Sequence, residues 1–103
     1  MQSIIQSIHF DADSKLIQFI EKKLKSLEHL VVNSKTGTPQ VNLRIEKNGS
    51  QVSEKVVELL INFSGTPLRI KSSGRRFEEA YLKAHSQLKR LIIKHKERLQ
   101  AKH

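Results

Sequence analysis

The chain has 103 residues, of which 37% are apolar and 28% are charged, a balance typical of one folded domain with a modest core. It contains no cysteine, which excludes disulfides, thiolate metal sites and cysteine nucleophiles. No stretch approaches the roughly 18 apolar residues that span a bilayer. The first residues carry no basic leader with a long apolar run, so we expect no secretion signal.

The charge is strongly basic and unevenly placed. Nineteen Lys and Arg against ten acids give a formal net charge of +9. From Arg69 to the end there are eleven Lys and Arg against three acids, so nearly the whole excess lies in the last third. This balance favours a polyanionic partner, either nucleic acid or an anionic membrane.

The first predicted elements are a short strand and a helix. Residues 3–10 alternate loosely, as a β-strand does, and a helical period follows them. Asp13 is a good N-cap, because its carboxylate can accept the free N–H groups of the first turn. We expect the helix to end near Leu30, before the loop-forming residues 31–39. Its apolar side would be formed by Leu16, Ile20, Leu24 and Leu27.

Three further strands are predicted. Residues 40–47 alternate cleanly, and Asn48-Gly49 after them can form a tight turn or part of a looser connection. The third strand covers 54–63, and the turn Ser-Gly-Thr-Pro leads to a fourth over 68–73. The residues that share one face of their strands are Val41, Leu43, Ile45, Val57, Leu59, Ile61, Phe63, Leu68 and Ile70.

A second helix is predicted from about Arg76 to Ala101. Its apolar stripe includes Phe77, Tyr81, Ala84, Leu88, Leu91 and His95, with Ala80 and Ile92 beside it, whereas Ile93 should face solvent. The order β-α-β-β-β-α predicts an α+β fold, a four-stranded and mainly antiparallel sheet with two helices packed on one face, similar to double-stranded-RNA-binding domains. Because the helix is longer than the strands, we expect its last two or three turns to overhang the sheet unless the first helix covers them.

Catalytic patterns are absent from the sequence. The five histidines are scattered, and His85 and His95 are roughly 15 Å apart along one helix, too far to share a metal. His95 is expected to be a packed imidazole. The glycines form no phosphate-binding loop, and no nucleophile triad stands out. We therefore expect that the protein is not an enzyme and that it has no cofactor, no metal site and no small-molecule substrate.

A row of basic residues flanks the apolar stripe of the second helix. Lys83, Arg90 and Lys94 fall on one side, and Arg76 joins them if the helix includes it. These four residues are the basic rail. Lys89 and Lys96 lie on the opposite flank. Lys22, Lys23 and Lys25 form a lysine cluster near the end of the first helix, which would lie beside the second.

Two simpler interpretations stay open at this point. Cations near a helix C-terminus gain from the helix dipole, which explains two or three of these residues but not a rail that reaches back to Arg76. A membrane-surface helix is the alternative from another class, since the segment 89–99 mixes bases with Ile and Leu. For RNA, the expected mode is recognition of shape and phosphates, because no exposed aromatic sheet face and no GxxG loop is found.

Three segments carry a resemblance to a known family: LKRLIIKHKERL at 88–99, FDADSKLIQFIEKKLKSLEHL at 10–30 and LRIKSSG at 68–74. They resemble the short ribosome hibernation factors. This group comprises the ribosome-associated translation inhibitor A and hibernation promoting factor proteins, also called the sigma-54 modulation or S30EA family. LKRLIIKHKERL at 88–99 is similar to the family's "LxRQLxKHKxKL" helix end. FDADSKLIQFIEKKLKSLEHL resembles its first strand-helix segment, with Leu27-Glu28 in register with "KLE", and LRIKSSG also aligns. The departures are Arg76 for an acid, Leu82 for Asp and Gln87 for Lys.

The resemblance implies a function. It implies a bacterial, cytoplasmic, ribosome-associated protein that binds 16S rRNA in the decoding channel of the small ribosomal subunit and blocks translation in stationary phase or stress. It implies one domain over 1–103, without the C-terminal dimerisation domain of long members, and we expect a monomer when free. The basic positions of the family pattern are Lys23, Arg90, Lys94, Lys96 and Arg98. The rail and the helix faces add Lys22, Lys25, Arg76, Lys83 and Lys89 as RNA-binding candidates.

Overall fold

A computed structural model describes residues 2–32, 35–48 and 52–101. In the described part, four strands and three helices follow one another in the order β-α-α-β-β-β-α. Their bounds are β1 (Ile4–Ser7), α1 (Ser14–Lys25), α2 (Glu28–Val31), β2 (Gln40–Asn48), β3 (Val52–Phe63), β4 (Thr66–Gly74) and α3 (Phe77–Ala101).

The four strands form one mixed sheet in the order β1-β2-β3-β4. β1 is parallel to β2, because the chain crosses over through α1 and α2 between these two strands. The other two pairs are antiparallel, with Leu43 opposite Val57 and Leu59 opposite Ile70. The sheet is therefore mainly antiparallel, and the predicted α+β class is confirmed.

One face of the sheet and the apolar sides of α1 and α3 form a single core. Val41, Leu43 and Val57 on the sheet are fully buried, as are Ile20 of α1 and Leu88 of α3. The strand positions in this core alternate with positions on the opposite face, as the period of two requires; these are polar in β2 but include Val56 and Leu60 in β3. Both long helices thus lie on one face, and no helix of the described residues covers the opposite face of the sheet.

The first helix is shorter than predicted. The Asp13 cap is confirmed, because its Oδ1 accepts the N–H of Leu16 at 2.8 Å. The prediction of a helix that continues to Leu30 is wrong, since α1 ends at Lys25 and a separate turn, α2, follows. At the break the Ser26 hydroxyl donates to the carbonyl of Lys23 at 2.5 Å, a local bond that competes with the helix ladder.

The β3–β4 hairpin is longer than predicted. Its turn consists of Ser64 and Gly65, whose φ angles of 50° and 82° are those that a two-residue hairpin turn requires. Pairing therefore begins at Phe63 with Thr66, two residues before the predicted start of the fourth strand. The predicted Asn48-Gly49 turn reaches residues 49–51, which lie outside the described part of the chain.

The overhang of α3 is shorter than predicted, because β3 and β4 are long and the region after α1 covers more of the helix. Ile92 is fully buried. The ring of His95 packs edge-on against Phe63, with 5.5 Å between ring centroids, so the packed imidazole is confirmed. Lys96 Nζ donates to the carbonyl of Leu30 at 2.9 Å. Only the turn after Lys96 is left to extend past these contacts.

Two apolar residues of α3 are equally exposed, one as predicted and one against prediction. Ile93 is 38% exposed, as predicted. Leu91 was expected in the core stripe, but it is also 38% exposed, so that prediction is wrong. It lies at the edge of the stripe on the β4 side, where the sheet ends and no further strand covers it.

Candidate nucleic-acid interface

The first half of the basic rail is partly neutralised by neighbouring acids. Arg76 precedes the first residue of α3, so the condition for its place in the rail is not met, and it lies 3.5 Å from a carboxylate oxygen of Glu78. Lys83 lies 3.4 Å from Glu79 and donates to the carbonyl of Ser73 at 3.2 Å. Both acids stand in the first turn of α3, where they also complement the helix dipole. These two cations therefore have a structural role as well as a possible binding role.

The second half of the rail is different, because its cations have no acidic partner. Arg90 and Lys94 are exposed, and Arg98 follows four residues further on the same side. Within the described part of the chain, the side chains of these three residues form no hydrogen bond or ion pair. Like charges at a spacing of four repel one another on a helix surface. The row therefore gains no stability from ion pairs in the free protein, and a polyanion would relieve the repulsion.

On the opposite flank of α3, Lys89 and Lys96 have different environments. Lys89 is exposed. Lys96 is half-buried, and its bond to the carbonyl of Leu30 ties α3 to the end of α2. This predicted site residue therefore helps to hold the two helices together, and one of its three donors is already used.

The lysine cluster of α1 lies beside α3, as expected. Lys22 and Lys25 are exposed, whereas Lys23 is half-buried with its Nζ 5.9 Å from the centre of the Phe19 ring. Phe19 in turn contacts the buried Tyr81 of α3 edge-on, at 6.1 Å between centroids. The aromatic contact packs α1 against α3 and places Lys23 near Lys89, since both charges act on His85.

Sequence reasoning missed His85 as a site residue. It lies near both Lys23 of α1 and Lys89 of α3. Burial lowers the pKa of His85, and the positive charges of Lys23 and Lys89 lower it further. Nδ1 of His85 lies 3.0 Å from the hydroxyl of Tyr81. Since burial also raises the pKa of Tyr81, the hydroxyl stays protonated and can donate to a neutral imidazole. The signal in the sequence was the spacing of four residues between Tyr81 and His85.

The open face of the sheet also carries charges, but there they are paired. The carboxylate of Glu58 is buried and accepts two bonds from the Arg69 guanidinium, with Arg69 Nε at 3.0 Å, and one from Asn42 at 3.3 Å. Arg44 donates to Glu46 at 2.8 Å, and Lys71 lies 3.8 Å from the same carboxylate. Basic residues on this face therefore have local partners, which leaves the helical face as the cationic one.

Two other kinds of site are not found in the described part. No group of three His, Cys, Asp or Glu residues that could hold a metal ion occurs there. Nor does any helix of that part have the length and apolar character needed to cross a membrane.

Fold and surface together define a class: a small α+β domain that presents unpaired cations along one long helix. A family model described as "Sigma 54 modulation protein / S30EA ribosomal protein" matches residues 3–100. The chain therefore belongs to the sigma 54 modulation protein / S30EA ribosomal protein family, which groups it with ribosome-associated hibernation and modulation factors. The resemblance inferred from the three sequence segments is thus confirmed.

Solved structures share the fold. A ribosomal subunit interface protein from Coxiella burnetii matches with a TM-score of 0.78 at 15% identity, over 94% of this chain and 99% of that one. The N-terminal domain of Protein Y from Thermus thermophilus matches with a TM-score of 0.68 at 14% identity, over 89% of this chain and 96% of that one. Comparison with curated protein sequences gives no match.

Proposed function

We propose that this protein is a bacterial hibernation factor that binds 16S rRNA in the decoding channel of the small ribosomal subunit. There it blocks the binding of mRNA and tRNA and so inhibits translation in stationary phase or stress. It acts in the cytoplasm as a single domain over 1–103 and is a monomer when free. Family membership supports the ribosome as partner.

The observation that carries the proposal is the row of unpartnered cations at Arg90, Lys94 and Arg98. Ribosomal RNA offers closely spaced phosphates, and each neutralised phosphate releases counterions. Lys89 and the lysine cluster extend the cationic face from α3 to the neighbouring helix α1. Helices that contact phosphates fix position and orientation but read little sequence, which suits a protein that acts by filling a channel.

The proposed mechanism needs no chemical step. The helical face binds the RNA backbone, while the body of the domain occupies the space that mRNA and tRNA require. Inhibition then follows from steric exclusion, and it is reversed when the protein dissociates. The cations need only be exposed and unpaired for this purpose, which is how the structure places Arg90, Lys94 and Arg98.

Co-sedimentation with purified ribosomal subunits at two salt concentrations tests the proposal. If six or more phosphates are engaged, affinity for the small subunit falls about a thousandfold between 50 and 200 mM salt. We expect the protein to pellet with small subunits and not with large ones at the lower concentration. Failure to pellet with small subunits at 50 mM salt would contradict the proposal.

A vesicle control in the same experiment addresses the membrane-surface alternative. The comparisons with known proteins give that alternative no support. Flotation of the protein with vesicles of anionic lipid, at an affinity equal to that for small subunits, would favour it. We expect the protein to remain with the small subunits when both are present.

A further inference from the structure

A groove runs along the β4 side of α3, where the helix passes the start of β4. Two adjoining depressions, of about 390 and 340 Å³, share Leu91 and Lys94 and form this α3–β4 groove. Each volume lies at the lower end of the range that small-molecule pockets occupy, about 300–1,000 Å³. The groove is therefore large enough for a planar group the size of a nucleobase.

The floor of the groove is apolar. Leu91 is 38% exposed, although its neighbour Ile92 is fully buried, and Leu68 of β4 is half-buried beside it. The ring of His95 adds a flat surface and is held in place by its edge-on contact with Phe63. An exposed leucine next to an ordered ring favours an occupant with an apolar, planar part.

The rim of the groove is cationic. Arg90 and Lys94 line one depression, while Lys94 and Arg98 line the other. These side chains follow one another about 6 Å apart along the helix axis. A repeating row of unpartnered cations suits a chain of repeating negative charges better than a single anionic group. Thr66 and Gln87 supply neutral hydrogen-bonding groups at the two ends.

We propose that the α3–β4 groove receives an unstacked nucleobase of single-stranded RNA, while Arg90, Lys94 and Arg98 hold the phosphates on either side. This inference deepens the proposed function and rests on it. A base supplies the planar, apolar part, and it can stack on the His95 ring or lie against Leu91. An acidic peptide would supply the charge but would leave the ring and the exposed leucine without a planar partner.

NMR titration of the full chain with two small probes tests this inference directly. Adenosine 5′-monophosphate and ribose 5-phosphate carry the same phosphate, and only the first has a base. We expect adenosine monophosphate to bind at least about fivefold more tightly and to shift the resonances of Leu68, Leu91 and His95. Equal affinity for the two probes, or shifts confined to other surfaces, would overturn the inference.

A matched pair of variants separates the groove from the rest of the helix. Leu91→Ser removes apolar floor and leaves every cation in place. Leu82→Ser changes the same residue type on the same helix, at a similar exposure of 42%, away from the groove. We expect Leu91→Ser to abolish the preference for adenosine monophosphate and Leu82→Ser to retain it. Equal loss in both variants would contradict the assignment.

Co-sedimentation of the same proteins with small subunits distinguishes the two proposals. If the wild-type protein pellets with small subunits but does not prefer adenosine monophosphate, the groove inference fails and the proposed function stands. If it prefers adenosine monophosphate but does not pellet, the proposed function fails and a nucleotide-binding groove remains. An acidic peptide that shifts the groove resonances more strongly than adenosine monophosphate would overturn the inference in favour of a protein partner.

Discussion

The two faces of the molecule treat their charges in opposite ways. On the open face of the sheet, basic and acidic side chains of neighbouring strands bond to one another, as Arg69 does with Glu58, to which the neutral Asn42 also donates. On the helical face, Arg90, Lys94 and Arg98 follow one another at every fourth position, and within the described residues none of these side chains forms an ion pair, although Glu97 lies in the last of these turns. The open face is balanced, with Arg44, Arg69 and Lys71 against Glu46, Glu54 and Glu58, so the helical face is the one that keeps cations available for a partner.

The pKa directions show the same difference. The pKa of Glu58 is lowered chiefly by its hydrogen bond from Arg69, so the surroundings stabilise its charge. The pKa of His85 is lowered by burial and then by Lys23 and Lys89, so its surroundings oppose a further positive charge. Paired charges stabilise the fold, whereas unpaired like charges are relieved only when an anion binds.

The largest expected effect comes from reversing two charges on the helical face. Arg90→Glu with Lys94→Glu should reduce binding to small subunits below detection, because two phosphate contacts become repulsive. Both side chains are exposed and unpartnered within the described part, so the free energy of unfolding should barely change. Co-sedimentation and urea denaturation measure the two quantities.

The matched control changes net charge by the same amount elsewhere. Lys35→Glu with Lys47→Glu reverses two exposed lysines outside the rail and the lysine cluster. We expect this protein to pellet with small subunits nearly as well as the wild type. If both double variants lost binding equally, net charge and not the helical face would govern the interaction.

On the open face of the sheet we expect a smaller effect, which changes the stability of the fold and not the binding. Glu58→Gln removes the buried negative charge that Arg69 and Asn42 contact, so the free energy of unfolding should fall by about 1 kcal/mol at neutral pH. Binding to small subunits should stay unchanged. Because the folded pKa of Glu58 is lowered, its contribution is present above the ordinary value and is lost as the pH falls below it. Urea denaturation at pH 7 and pH 3 should therefore show the two proteins converging in acid.

The smallest expected effect concerns His85. The pKa of His85 is lower in the folded protein than in the unfolded chain, so the unfolded chain binds a proton more readily. The free energy of unfolding therefore falls as the pH drops below about 6.5. His85→Asn keeps an acceptor for the Tyr81 hydroxyl and should flatten this part of the profile. Thermal unfolding at pH 7.5 and pH 5.5 measures the difference between the two proteins.

Bound RNA should shift the pKa of His85 in the opposite direction. A phosphate between Lys23 and Lys89 would raise the pKa of His85, so binding would be accompanied by proton uptake as the pH is lowered. The wild-type protein should therefore gain more affinity for small subunits on acidification than His85→Asn does. An identical pH dependence of binding in both proteins would exclude His85 from the interface.

Much of the fold could be predicted from local patterns. The period of two assigned the core faces of β2 and β3, and the Asp13 cap marked the start of α1. The break after Lys25 could not be predicted, because it depends on a side-chain bond from Ser26 that competes with a continued helix. The exposure of Leu91 depends on β4 being an edge strand, which a helical wheel does not show.

The sequence by itself determined the kinds of element, their order, the apolar faces and the concentration of basic residues in α3. The tertiary structure decided which of those residues stay unpaired. Lys96 bonds to Leu30, 66 positions earlier in the chain, while Lys83 reaches back to Ser73. The physical reason is range: periodicity reports on neighbours within a few residues, whereas a charge is paired or free according to what packing brings within a few ångströms of it.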